Sequence, residues 1–203
     1  ENENGEAYTK VNHVPLSSSH LGIVAEVNEL SREISAGRVK LEEAEERLEK
    51  IEKIPPKKRW FQYMAAGLAS GTFALMLGSS VSEAVAAFLI GFLSYVWVLF
   101  AGKHNLSKII VNIVGGVIMT VLALAFMHIP FLPILKLDGM MVGAIMPMIP
   151  GVAFVNAIRD IADTDFLSGL VRMIDALLVF VYIAIGVGVT LSIYNTMMGG
   201  ILR

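Results

Sequence analysis

The sequence predicts an all-α polytopic membrane protein with five transmembrane segments, one of them a broken or re-entrant helix at a Pro-Gly motif. A small cytoplasmic helical hairpin and a remnant strand precede them. Three observations lead there. Hydrophobic residues make up 55% of the 203 and mean hydropathy is +0.67, more apolar than a soluble domain of this length. The apolar residues fall in long blocks rather than amphipathic stripes, and about 20 such residues cross a ~30 Å hydrocarbon core. About two thirds of the Lys, Arg, Asp and Glu residues precede Trp60, which separates a soluble part, 1–59, from a membrane part, 60–203.

The soluble part opens without an initiator Met and without the basic and apolar regions of a signal peptide. Residues 7–14 alternate as a strand does, and a lone strand needs partners elsewhere, so an incomplete N-terminal domain is expected. Ser17, Ser18 and Ser19 offer N-caps to a first helix with an apolar face of Leu21, Val24, Val27 and Ile34, and Gly37 suits its C′ position. A second helix over about 39–54 carries Leu41, Ala44, Leu48 and Ile51 on one stripe and a dense set of Glu, Arg and Lys on the others, and Pro55-Pro56 stops it. The pair reads as an antiparallel hairpin with a solvated outer surface.

Five segments follow Lys57, Lys58 and Arg59, at 61–79, 83–101, 107–128, 138–149 and 168–192. The fourth is too short to cross alone and contains Pro147 and Pro150, so residues 151–165 are expected to complete it as a broken or re-entrant element. Lys57, Lys58, Arg59, Lys103 and Lys108 fall on one side of this scheme and Lys136 on the other, which places the N-terminus in the cytoplasm. Small residues recur at helical spacing, Gly67, Gly71, Ala74 and Gly78 in the first segment and Ala84, Ala87, Gly91 and Ser94 in the second. Such faces let helices pack closely in lipid, within a chain or between subunits.

The chemistry concentrates after the break. Asn156, Arg159, Asp160 and Asp163 lie at i, i+3, i+4 and i+7, one face of a helix beginning at Pro150-Gly151, and Ser168, Arg172 and Asp175 open a second row that runs on through Val179, Tyr182 and Gly186. Ionisable groups at membrane depth are costly and mark substrate, ion or proton paths. Facing rows would form a midplane site. Its substrate-binding residues are Asn156, Arg159, Arg172, Pro150, Gly151 and Ser168, with the arginines clamping a carboxylate and free amides after the break favouring an anionic group. Asp175, Asp160 and Asp163 are the candidates for proton coupling. The competing reading pairs Arg159 with Asp163 and Arg172 with Asp175 as mutual neutralisation near the cytoplasmic surface.

Other chemistry is thinly represented. The chain has no cysteine, hence no disulfide framework or thiol chemistry. His13, His20, His104 and His128 lack metal-ligand spacing, and no phosphate-binding loop, hydrolase triad or zinc-protease helix is visible. No metal, cofactor or enzymatic activity is expected. A net charge of -2, near balance in each part, gives no footprint for nucleic acid.

The stretch Gly143-Ala-Ile-Met-Pro-Met-Ile-Pro-Gly151, then Asn156-Ala-Ile-Arg-Asp160, Ser168-Gly-Leu-Val-Arg172, Asp175-Ala-Leu-Leu and Gly186-Val-Gly188 resembles the N-terminal membrane domain of the threonine/serine exporter superfamily. The resemblance extends to Leu30-Ser-Arg32, the helix from Glu43-Ala-Glu45 to Ile54, and the region from Phe73 to Gly78. It implies gradient-driven export of small amino acids such as threonine and serine or, in two-subunit members, of dicarboxylates such as succinate, across the inner membrane. It also implies a second five-span domain, which for this chain would be a separate subunit or further copies of itself in the lipid bilayer. Where many relatives carry Gly ahead of the acid matching Asp165, and Glu in place of Asp175, this chain has Thr164 and the shorter acid. A passive channel or scaffold, and a membrane enzyme using Asp160, Asp163 and Asp175, are the readings from other classes.

Overall fold

In a computed structural model, residues 21–55, 58–129 and 135–198 are described, and all regular structure among them is helical. The expected strand lies outside the described residues. Contacts divide the chain into two compact units, Glu1–Lys57 and Lys58–Arg203.

The first unit contains α1 (Leu21–Ser35) and α2 (Leu41–Glu52). Gly37 ends α1 with φ +66°, and its N–H and that of Arg38 return to the carbonyls of Ile34 and Glu33, a left-handed terminator that a Cβ would strain. Leu30, Ala44 and Ile51 are buried, backed by Ile23, Val39 and Ile54. On α2 the expected stripe packs through Ala44 and Ile51, with Leu48 exposed; on α1 the expected Val24, Val27 and Ile34 are exposed, because α1 meets α2 through the Ile23–Leu30 side of the helix, which has the same seven-residue spacing. Arg47 donates to Glu33 at 2.5 Å and joins the two helices.

The second unit begins with α3 (Arg59–Met76) and α4 (Val81–Lys103). Their small-residue faces meet as the spacing requires. A Cβ on Gly67 would lie 3.0 Å from the carbonyl oxygen of Phe88, one on Gly71 3.0 Å from that of Ala84, and Gly91 sits against Ser70 and Ala66. Gly78 is no part of this packing face. The helix ends at Met76, and Gly78 terminates it at φ +88° with Ser79 N–H bonded to Ala74.

The third helix of the unit, α5 (Lys108–Met127), is joined to α4 by Trp97, whose indole N–H donates to the Val111 carbonyl at 3.0 Å. Then come α6 (Leu137–Ile145), a 3-10 turn (Met146–Met148), α7 (Gly151–Ala162) and α8 (Phe166–Met197). Gly143 lets α6 press onto α3 and α4, where a Cβ would meet the Ser70 carbonyl at 2.5 Å and Ala74 at 2.7 Å. Ile90, Met119, Ala123, Met140, Ala144, Val179 and Ile183 form the core among α4, α5, α6 and α8.

Three helices among the described residues, α4, α5 and α8, are long and apolar enough to cross a membrane, and a fourth span results if α6 and α7, bent by 62° at their break, count as one. The first expected segment, α3, falls short of that composition because Arg59, Gln62, Tyr63 and several small polar residues occupy its 18 positions.

Glu83 ties two turns of the unit together. It is 5% exposed, and its carboxylate accepts from Ser80 N–H at 2.8 Å and from Lys136 N–H at 2.9 Å. The first bond completes a capping box on α4; the second reaches across to the start of α6. Ser79 Oγ donates to the Gly139 carbonyl beside it at 3.2 Å.

Candidate functional site

The residues expected to act lie on a hairpin made by α7 and the first turns of α8. Pro150 stops the backbone at φ −77°, ψ 54°, and Gly151 opens α7 with no side-chain cap and nothing within 4 Å of where a Cβ would stand. The break is therefore open and its first-turn amides carry the partial positive charge of a helix start. Asp163 and Thr164 turn the chain. Asp165 caps α8 by accepting from Ser168 N–H at 3.4 Å, which places Ser168 in the first turn of that helix. Thr164 has φ +72°, a left-handed conformation that favours glycine and is costly for a β-branched residue.

The two polar rows do not face one another along their lengths. Helix α7 packs on α8 through Ala157, and a Cβ on Gly169 would meet the Ala157 carbonyl and the Ile161 N–H at 2.9 Å. Of the α7 row only Asp160 turns to α8, where Arg172 donates to it at 2.8 Å. Asn156 is exposed. Arg159 and Asp163 form a surface pair at 3.6 Å with both side chains over 70% exposed, a geometry worth well under ~1 kcal/mol.

Of the two pairings in the competing reading, Arg159 with Asp163 is found and Arg172 with Asp175 is replaced. Asp175 lies one turn beyond Arg172 on α8 and accepts from Lys108, the first residue of α5, at 2.5 Å. Asp175 thus stands at the end of the α5–α8 pair rather than at its middle. Two ion pairs result, Asp160 with Arg172 and Asp175 with Lys108, their α8 members one turn apart.

In the sequence Lys108 stands out only as a charge flanking a span. The signal for more was available, since a cation in the first turn of a helix opposes the dipole and gains from a carboxylate partner. Just below it Asn112 is buried, its amide donating to the Lys108 carbonyl at 2.7 Å. At the far end of the same helix pair, His128, the C-cap of α5, holds the Leu124 carbonyl through Nδ1 at 2.8 Å, and Tyr194 Oη of α8 lies 3.0 Å from its Nε2.

The family model for threonine/serine exporters, ThrE, matches residues 1–194. The chain belongs to this exporter family. The family is one of transporters rather than enzymes, and the length and composition of the apolar helices fit a membrane protein. No individually curated protein and no solved structure matches it. Within this exporter-family chain the Pro150-Gly151 break and the charged α7–α8 hairpin lie inside the matched region.

Proposed function

We propose that this chain is the five-span half of a secondary exporter of threonine and serine, driven by a membrane gradient and set in the inner membrane with its N-terminus in the cytoplasm. The family match over residues 1–194 carries the substrate class. For the fifth span, α3 is 18 residues long, about 27 Å at 1.5 Å per residue. It packs along α4 and α6 as a member of the bundle and carries Trp60 and Tyr63 at one end, where aromatic residues favour the interface. Lys58, Arg59, Lys103 and Lys108 then share one side with the α7–α8 turn, and the positive-inside bias makes that side cytoplasmic.

With α5 about 30 Å long, its first residue, Lys108, stands near one face of the membrane. Asp175 stands there with it. The two ion pairs then stand at a cytoplasmic vestibule, and Arg159 and Asn156, exposed on the face of α7 turned from α8, receive the substrate carboxylate and amine-side groups. The open helix start at Gly151 lies deeper on the same path. Asp175 is the first candidate for the coupling proton and Asp160 the second. Asn156, Arg159 and Asp163 face away from α8 in a single copy, which supports assembly with a second five-span subunit or further copies.

The test is counterflow in proteoliposomes with a panel of small amino acids and dicarboxylates, with and without the companion subunit. Accelerated exchange of threonine and serine supports the reading; exchange confined to dicarboxylates replaces the substrate class; leakage of all solutes down their gradients contradicts a carrier.

A further inference from the structure

Helices α5 and α8 run parallel and meet at three levels. Lys108 holds Asp175 at one end, Gly116 meets Gly186 in the middle, and His128 meets Tyr194 at the other end. The middle contact is backbone on backbone. A Cβ on Gly116 would lie 2.7 Å from the Ile183 carbonyl and 3.3 Å from Gly186 Cα, and one on Gly186 would lie 3.0 Å from Val117 N.

At the crossing itself the contact is backbone on backbone, while Met119, Val179 and Ile183 pack beside it in the core shared with α4 and α6; close to the pivot a rotation displaces these side chains least, and most at the two ends. Between the crossing and the Tyr194 end an open apolar groove of about 360 Å³ runs along the two helices, lined by Val117, Val121, Leu124, Thr190 and Ile193 and bounded by Tyr194. The end contacts are polar and part-exposed, Lys108 and Asp175 at 49% and 37% of their side-chain areas, so either opens without stranding a buried charge.

We propose that α8, carrying α7 with it, is the moving arm of the exporter. It rocks on the Gly116–Gly186 contact, with Lys108–Asp175 and His128–Tyr194 as the latches of its two ends. The rest of the geometry fits an arm. Asp160 and Arg172 fasten α7 to α8, and the only covalent tie of the arm back to α6 is the 62° break, where Gly151 has open space around it. Lys108, His128 and Tyr194 are positioning residues in this scheme. They set which end of the path is open and need not touch the substrate.

The proposal rests on the carrier reading, and its test reads motion without substrate. The chain has no cysteine, so label pairs can be placed cleanly on exposed neighbours of each latch, Ile109→Cys with Ile174→Cys and Ile129→Cys with Ile193→Cys. Double electron-electron resonance on the full chain in proteoliposomes then reports both ends. Lys108→Ala is expected to raise the separated population at the first end about two- to five-fold and Tyr194→Phe to do so at the second, the scale of one exposed latch in a two-state equilibrium. Lys108→Arg restores the parent distribution.

An unchanged distance at both ends in every variant overturns the arm, as does simultaneous broadening of both ends in either single variant, which is loss of packing. Threonine counterflow in the labelled proteins separates the two ideas. Transport with immobile ends removes the arm and leaves the exporter; moving ends with no carrier activity on any substrate does the reverse.

Discussion

Removing the Glu83 carboxylate should loosen the membrane unit more than any other single charge change outside the α7–α8 hairpin. The side chain is 5% exposed and accepts two backbone N–H bonds, 2.8 Å from Ser80 and 2.9 Å from Lys136. Hydrogen bonds to a charged group contribute about 1.5–3 kcal/mol each, and a buried N–H left without a partner costs comparably. Glu83→Ala deletes both acceptors and uncaps α4, for an expected loss of about 3–5 kcal/mol. Glu83→Gln keeps one carbonyl-type acceptor but sets an NH2 group against the other N–H, so it should lose about 1.5–3 kcal/mol. Equilibrium unfolding in mixed micelles, followed by far-ultraviolet circular dichroism, measures both. Ala and Gln variants within about 0.5 kcal/mol of the parent would refute the reasoning, because the carboxylate would then have no part in fastening α6 to the α3–α4 turn.

The same micelle unfolding should show Thr164→Gly stabilised by about 0.5–1 kcal/mol, since the residue stands at φ +72°; a loss would mean that Thr164 makes a compensating contact. Arg159→Gln should leave stability within about 0.5 kcal/mol, its pair with Asp163 being fully at the surface, yet abolish export. Normal export by that variant removes Arg159 from the substrate site. Arg172→Gln should cost about 1–2 kcal/mol because Asp160, only 24% exposed, loses its donor. Asp175→Asn is expected to stop uphill export while substrate-for-substrate exchange remains measurable, and uphill export retained in both Asp175→Asn and Asp160→Asn would end the proton assignment.

Apolar blocks and breakers made most of the helices legible: α4, α5 and α8 follow from uninterrupted hydrophobic runs, and Pro147, Pro150 and Gly151 announce the break between α6 and α7. Small-residue spacing likewise foretold how α3 meets α4, because only Gly and Ala permit backbone approach to about 3 Å. Less legible were contacts that depend on which side of a helix is turned inward. The spacing of Asn156, Arg159, Asp160 and Asp163 makes them neighbours on α7, but packing through Ala157 and Gly169 rotates all except Asp160 away from α8.

Partners distant in sequence were hidden for the same reason, and Asp175 finds Lys108 across 67 residues rather than Arg172 one turn away. Two local signals went unused. Ser80 followed by Glu83 is a capping-box spacing, and Lys108 opens a helix where its charge is unfavourable without an acid. The left-handed backbone at Thr164 was hidden too, since a β-branched residue does not announce a positive φ.

Purified protein in proteoliposomes, loaded inside with unlabelled threonine and given trace labelled threonine outside, offers the most direct measurement of the central claim. An obligatory carrier gives transient accumulation of label above equilibrium, lost in Arg159→Gln without loss of folded protein. Label that merely equilibrates at the same rate with or without internal threonine would contradict it, since an obligatory carrier is then absent.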